Sequence, residues 1–196
     1  GSIAVVTIKV FDNELGKHFL VELAMQQLAD DTWQISKIDN LKTLISERDQ
    51  ALQNKLAELN APVQKQIDDA VAVSPQKIFI TSAPYSGVIR LLEADIQLTN
   101  NAMKELQYFT GVLELYNADN ELFYSGNFAS SKDLAAKQTA VYKFNWELNP
   151  FLTDDAKVMN SDFSKVTWKA SLSSLSFADG STIELLTQLP VKAATK

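Results

Sequence analysis

The chain has 196 residues, 46% of them hydrophobic and 21% charged, with a net charge of -6 and a pI near 4.8. This composition suits folded cores. The acidic balance, with no two adjacent Lys or Arg, argues against a surface that grips nucleic acid. The absence of cysteine excludes disulfides, thiolate nucleophiles, iron–sulfur clusters and Cys-rich zinc sites, and no apolar run approaches the length of about 20 residues that spans a bilayer.

Gly1-Ser2 reads as a scar of tag removal, with any upstream segment cut away. Ile3 to Phe11 is rich in β-branched residues and predicts a strand, ended by the turn-forming Asp12 to Gly16. From His18 to Gln26, Phe19, Val21, Leu23 and Met25 alternate with mostly polar residues, the period of a half-buried strand. Asp30-Asp31 closes another turn, and Thr32 to Ile38 alternates again, so three antiparallel strands in a meander are expected.

Asn40 then offers an N-cap. Leu41, Ile45, Arg48, Leu52, Leu56, Leu59, Val63, Ile67 and Ala70 recur at steps averaging about 3.6 residues, a globular helix period. Pro62 lacks the backbone donor, so helices are expected near 41–59 and 61–72, with a kink or restart at a second N-cap, Asn60. The stripe should cover the small sheet. Ser74-Pro75 marks a domain boundary, giving domains 1–74 and 75–196.

Beyond it the texture turns to short strands: Lys77 to Thr81, Val88 to Leu98, Leu106 to Tyr116, Glu121 to Tyr124, Ala140 to Leu148, Val166 to Leu175 and Thr182 to Leu186. Tyr142, Phe144, Trp146 and Leu148 alternate with Val141, Lys143, Asn145 and Glu147, setting one face to the core. Asn117 to Asn120 and Ala178-Asp179-Gly180-Ser181 carry turn chemistry. Phe128 to Lys137 and Asn149 to Asp162 are longer connections able to hold a helical turn, and the tail from Lys192 to Lys196 is expected to fray. The predicted fold class is mainly β with α, a small α+β N-terminal module of meander plus kinked helix followed by an immunoglobulin-like β-sandwich.

Leu91 to Tyr124 resembles the FxLYD-type immunoglobulin-like domains of prokaryotic envelope proteins. Leu113-Glu114-Leu115-Tyr116-Asn117 matches the name-giving pattern with Leu for Phe and Asn for Asp, after a turn at Thr99-Asn100-Asn101. The Pro-Gly that often precedes the next long strand is replaced by Lys137-Gln138-Thr139. Asp31 to Ile38 resembles the closing strands of nuclear-transport-factor-like (cystatin-like) modules of bacterial envelope proteins, which implies that the upstream part of such a module is missing. Neither resemblance supplies catalytic residues. Together they imply a bacterial cell-envelope protein, periplasmic or a membrane-anchored lipoprotein.

Chemistry-bearing patterns are sparse. His18 is the single histidine, so any Ser–His scheme must use it and a multi-His metal site is impossible. It falls on the strand face opposite Phe19, Val21 and Leu23. Asp30-Asp31, Asp68-Asp69 and Asp154-Asp155 are paired acids, and Glu93 and Asp95 share one strand face, but no calcium-loop spacing exists and these acids read as solvated charge. The Asn117 to Glu121 tip is the most oxygen-rich loop and reads as a turn. The six glycines are too scattered for a phosphate loop, and no G-x-S-x-G occurs. Tyr108, Phe109, Tyr116, Phe123, Tyr124, Tyr142, Phe144 and Trp146 read as core, whereas Tyr85 in its loop favours exposure.

No catalytic, cofactor-binding or metal residue is assigned, and no cofactor is expected. The leading expectation is a non-enzymatic binding or structural module whose partner is a protein or envelope component, contacted along sandwich loops or a strand edge. One alternative is a small-ligand or enzymatic module with a cavity near His18. Another is a helix-mediated oligomerisation scaffold, in which the stripe pairs with a second copy as a homodimer.

Overall fold

The computed structural model describes residues 2–190; the Lys192 to Lys196 tail lies outside them. Among the described residues ten strands form three antiparallel sheets, with two helices. The chain divides into two compact units. One comprises the chain up to Ala61 with the stretch that follows Leu185, and the other is Pro62–Leu185.

In the first unit β1 (Ile3–Asp12), β2 (Lys17–Gln27) and β3 (Trp33–Ile38) form the expected meander, in the order β1-β2-β3. The β1–β2 turn is built by Asp12, whose Oδ1 accepts the backbone N–H groups of Glu14 and Leu15 at 3.0 Å, with Gly16 at φ 64°. The bond from Leu15, with help from the Arg48 guanidinium, holds the Asp12 carboxyl below its usual range. Asn40 stands at the start of α1 (Leu41–Ala70), but its side chain serves the sheet. Its Oδ1 accepts from Glu22 N and its Nδ2 donates to Leu20 O, extending the ladder past the end of β3.

The expected helix break at Pro62 is corrected: α1 is one helix of 30 residues that runs through it. Asn60 does not cap a second helix, because its amide is bonded to both backbone groups of Leu186. The Ser74-Pro75 pair lies inside β4 (Val71–Ser82), which starts directly after α1. A proline is tolerated there because β4 is an edge strand, and the register shifts between Pro75 and Lys77.

The second unit holds β4, β5 (Arg90–Asn100) and β8 (Thr139–Leu148) in one sheet, in the order β4-β5-β8. The other sheet contains β6 (Leu106–Tyr116), β7 (Leu122–Ser130), β9 (Thr167–Phe177) and β10 (Thr182–Glu184), in the order β10-β9-β6-β7. The connection after β8 carries α2 (Thr153–Met159). The core is a cluster that includes Leu92, Ile96, Leu98, Phe109, Leu113, Leu115, Tyr142, Leu148, Leu172 and Leu175. Each such side chain contributes about 1.5–3 kcal/mol on burial. Only the last turns of α1 join it, through Ile67 with Val63 and Ala70 beside it. Phe109 meets Tyr142 edge-on at 5.0 Å between ring centroids, as quadrupolar rings prefer.

These findings correct the expected fold class: the protein is a β-rich α+β fold of three sheets, not a helix-covered meander followed by an immunoglobulin-like sandwich. What overturns the expectation is α1. Its apolar stripe is fully buried only at Ile67, after Pro62, where it enters the second unit's core, while Leu41 and Ile45 stay exposed and Leu52, Leu56 and Leu59 are half-buried.

Candidate functional site

The sequence singles out no catalytic residue, so the candidate site is defined by surface the fold leaves unfinished. Among the described residues β1 is hydrogen-bonded on one side only. Ile3 is 78% and Val5 61% exposed, and Val6, Ile8, Val10 and Phe11 are exposed with them. Both faces of the strand are apolar because the sequence does not alternate. The register places Ala4, Val6, Ile8 and Val10 beside Met25, Leu23, Val21 and Phe19, and Val5 and Phe11 beside Ala24 and His18 on the other face.

The direction of the free backbone groups follows from the ladder. Gln27 N–H donates to Ser2 C=O at 3.0 Å, which makes that facing pair a hydrogen-bonded one. Even-numbered β1 residues therefore bond β2, while the N–H and C=O groups of Ile3, Val5, Thr7, Lys9 and Phe11 point to the open edge. The far side of β2 agrees, since Glu22 and Leu20 turn their groups toward β3 and Asn40.

The two edges of this sheet differ. β3 is six residues long, includes polar Gln34, Ser36 and Lys37, and pairs through a bulge between Ala24 and Met25. Short length, charge and bulges are the devices that blunt a sheet edge against strand addition. β1 has ten residues, an unbroken register with β2, no proline, and Lys9 as the single charge before Asp12. Sequence reading missed this edge because β-branched runs of this kind usually mark buried strands.

His18 stands exposed on β2 with its ring 4.8 Å from that of Phe11. The paired acids are occupied locally. Asp30 accepts from the Thr32 hydroxyl at 2.6 Å, which with the Thr32 backbone N–H holds its carboxyl below the usual range. Gln64 donates to Asp68, and Lys65 pairs with Asp69 at 2.7 Å. Glu93 accepts from Thr81, and Asp95 is in register with Lys77 on one side and Lys143 on the other. The Asn117 tip is a turn: Asn117 Oδ1 accepts from Asp119 and Glu121, with Asn120 at φ 59°.

The structure does bring that tip to Asp154 and Asp155. An open groove of about 770 Å³ runs between the β6–β7 hairpin and α2, lined by Glu121, Phe123, Tyr124, Asp154, Asp155 and Lys157 among others. Its charges are already satisfied: Lys157 pairs with Asp154 at 2.9 Å, Asn117 donates to Glu121, and Asp155 accepts from Asn149 N. Burial and then the nearby Asp155 push the Tyr124 hydroxyl up to about 12, so it stays protonated. Among the described residues no three His, Asp or Glu converge as metal ligands. The groove can accept a polar ligand, with one oxygen of Glu121 and one of Asp155 already engaged. Tyr85 is exposed as expected and donates to Glu147, which raises the pKa of its hydroxyl.

No family model matches the chain, and no curated protein matches it. Among solved structures it is similar to a structural-genomics target designated SoR45, at 11% identity and a TM-score of 0.37, covering 66% of this chain and 95% of that one. It is similar to a putative ApaA protein from Bordetella pertussis at 12% identity and 0.32, covering 62% and 94%, and to a putative beta-galactosidase from Bacteroides fragilis at 18% identity and 0.25, covering 59% and 15%. With TM-scores below 0.5, these likenesses carry neither fold nor function to this chain.

Proposed function

We propose that the chain is a non-enzymatic binding module of a bacterial cell envelope, and that it binds through the free edge of β1. The observation that carries the reading is the unprotected strand: five consecutive outward pairs of backbone groups flanked by exposed Ile3, Val5, Val6, Ile8, Val10 and Phe11. An extended segment laid along it gains main-chain hydrogen bonds, and the apolar side chains on both faces gain neighbours. Solvent-exposed edges of this length and composition are rare because they recruit other strands. The envelope location rests on the sequence resemblance of Leu91 to Tyr124 to FxLYD-type envelope domains.

Hydrogen exchange tests the binding element. Once the edge is occupied, whether by self-association at high concentration or in envelope extract from the source cells, exchange is expected to be slow at the amides of Val5, Thr7, Lys9 and Phe11, with the even-numbered amides unchanged. Exchange at the odd positions that stays fast in envelope extract contradicts the reading. Fractionation of cells making the intact gene product tests the location, and recovery in the cytosol rather than the envelope would reject it.

A further inference from the structure

We infer that the strand received by β1 is β1 of a second copy of this chain, paired antiparallel about a two-fold axis through Thr7; this rests on the reading of β1 as the binding edge. A two-fold axis perpendicular to the sheet keeps each face continuous, so residues facing each other across the new seam must share a face and their positions must sum to an even number. Only odd-numbered residues have free backbone groups, so the hydrogen-bonded pairs must be odd with odd. The register centred on Thr7 satisfies both conditions and uses the strand from Ile3 to Phe11. Ile3 faces Phe11 of the second copy, Val5 faces Lys9, and Thr7 faces Thr7. Between them Ala4 faces Val10 and Val6 faces Ile8.

This pairing is chemically self-consistent. Four of the five kinds of facing pair are apolar with apolar or Thr with Thr, both favourable across strands. Lys9 meets the side chain of Val5 and not its own copy, so no like charges face each other. Asp12 is left outside the seam, free for its ion pair with Arg48 at 2.9 Å. A register shifted by one residue of centre toward Ile8 would instead lay Asp12 against Ala4. The seam also doubles the sheet from three strands to six, so that β1 becomes an interior strand with both sides of its backbone paired. A second copy matches the requirement for apolar side chains on both faces, whereas an amphipathic strand from another protein would match only one.

The chain has no cysteine, so a single introduced thiol reports the seam. Facing residues in a hydrogen-bonded antiparallel pair lie about 5.5 Å apart at Cα, within the range a disulfide closes. Under mild oxidation Thr7→Cys is expected to become a covalent dimer, while Glu22→Cys, exposed on the central strand, stays a free thiol. In sedimentation the parent chain is expected to show a concentration-dependent doubling of mass, lost in Thr7→Lys, which puts two ammonium groups on the axis without touching the β1–β2 ladder. Unchanged circular dichroism of Thr7→Lys shows that the loss is not unfolding. A parent chain that is monomeric at every concentration, or Thr7→Cys no more oxidised than Glu22→Cys, overturns the second copy. If the monomer then shows protected odd-numbered β1 amides in envelope extract, strand addition stands with another partner; if it does not, both readings fall.

Discussion

The side-chain amide of Asn100, fully buried, donates to the carbonyl of Leu134 at 2.9 Å, 34 residues further along the chain. The same nitrogen reaches Lys104 O at 2.9 Å, and Oδ1 accepts from Ala102 N at 3.0 Å. One side chain thus satisfies backbone groups of two connections that lie side by side. Asn100→Leu keeps the volume but takes the partner from Ala102 N–H and Lys104 C=O, while Leu134 C=O keeps the Leu106 N–H at 3.0 Å, at about 1–3 kcal/mol for each group stranded away from water. The expected result is a loss of about 2–4 kcal/mol in urea unfolding with an unchanged slope. A loss under 1 kcal/mol would mean that water replaces the amide.

Gly111 is required by packing rather than by its backbone angle. A Cβ there would sit 2.3 Å from the Phe128 ring and 2.4 Å from Ser171 O. Gly111→Ala is therefore expected to cost at least about 1–3 kcal/mol, the usual penalty of overpacking, because one of the two obstacles is backbone and cannot swing aside. Combining it with Phe128→Leu should recover part of the loss, since only the ring contact is relieved. Additive losses in the double mutant would show that Phe128 is not the obstacle.

What was legible in the sequence divides along physical lines. Tyr142, Phe144, Trp146 and Leu148 face inward as their alternation predicts, because a two-residue period on a half-buried strand has one solution. The seven strands of the second half fall near their expected places, as does the helical turn in the Asn149 to Asp162 connection. The acids at Asp30, Asp68 and Asp69 are bonded within a turn and a helix, and Glu93 is bonded across strands to Thr81. Where the reading failed, a residue had two possible employers. Asn40 and Asn60 are good caps by type, yet tertiary contacts take their amides for Leu20, Glu22 and Leu186. Pro75 breaks helices, yet an edge strand with a bulge accommodates it. The open edge of β1 was hidden for a different reason, since local sequence does not say whether an apolar strand will have a neighbour.

The hairpin at Asp179-Gly180 should respond to acid. Hydrogen bonds from the Ser181 hydroxyl at 2.6 Å and its backbone N–H at 3.0 Å, joined by Lys104, hold the Asp179 carboxyl down to about 2. An unfolded Asp titrates near about 3.9. Because the folded pKa is the lower one, the unfolded chain takes up the proton first. The stabilisation is complete above about pH 4 and is lost as pH falls through about 2. NMR titration of the Asp179 carboxyl is expected to show its midpoint near 2, and Asp179→Asn should flatten the acid dependence of the β9–β10 amide exchange. A midpoint near that of a free Asp would contradict the turn geometry.

Pro62 is the weak point of α1. It lies inside the helix, removes the N–H that would bond the carbonyl of Glu58, and crowds that turn. It is also the residue at which the two compact units divide. A proline that merely began a second helix would cost nothing there, because first-turn N–H groups have no partner in any case. The continuous helix demands the opposite. Pro62→Ala restores one intrahelical bond and a residue of high helix propensity, and is expected to raise helix stability by about 1–3 kcal/mol. Amides from Ala61 to Gln66 should exchange more slowly in the variant, with the amides of the second unit's core strands unaffected. If protection in that segment is unchanged, the helix opens at Pro62 for reasons other than the missing bond, and the separation into units does not originate in this residue.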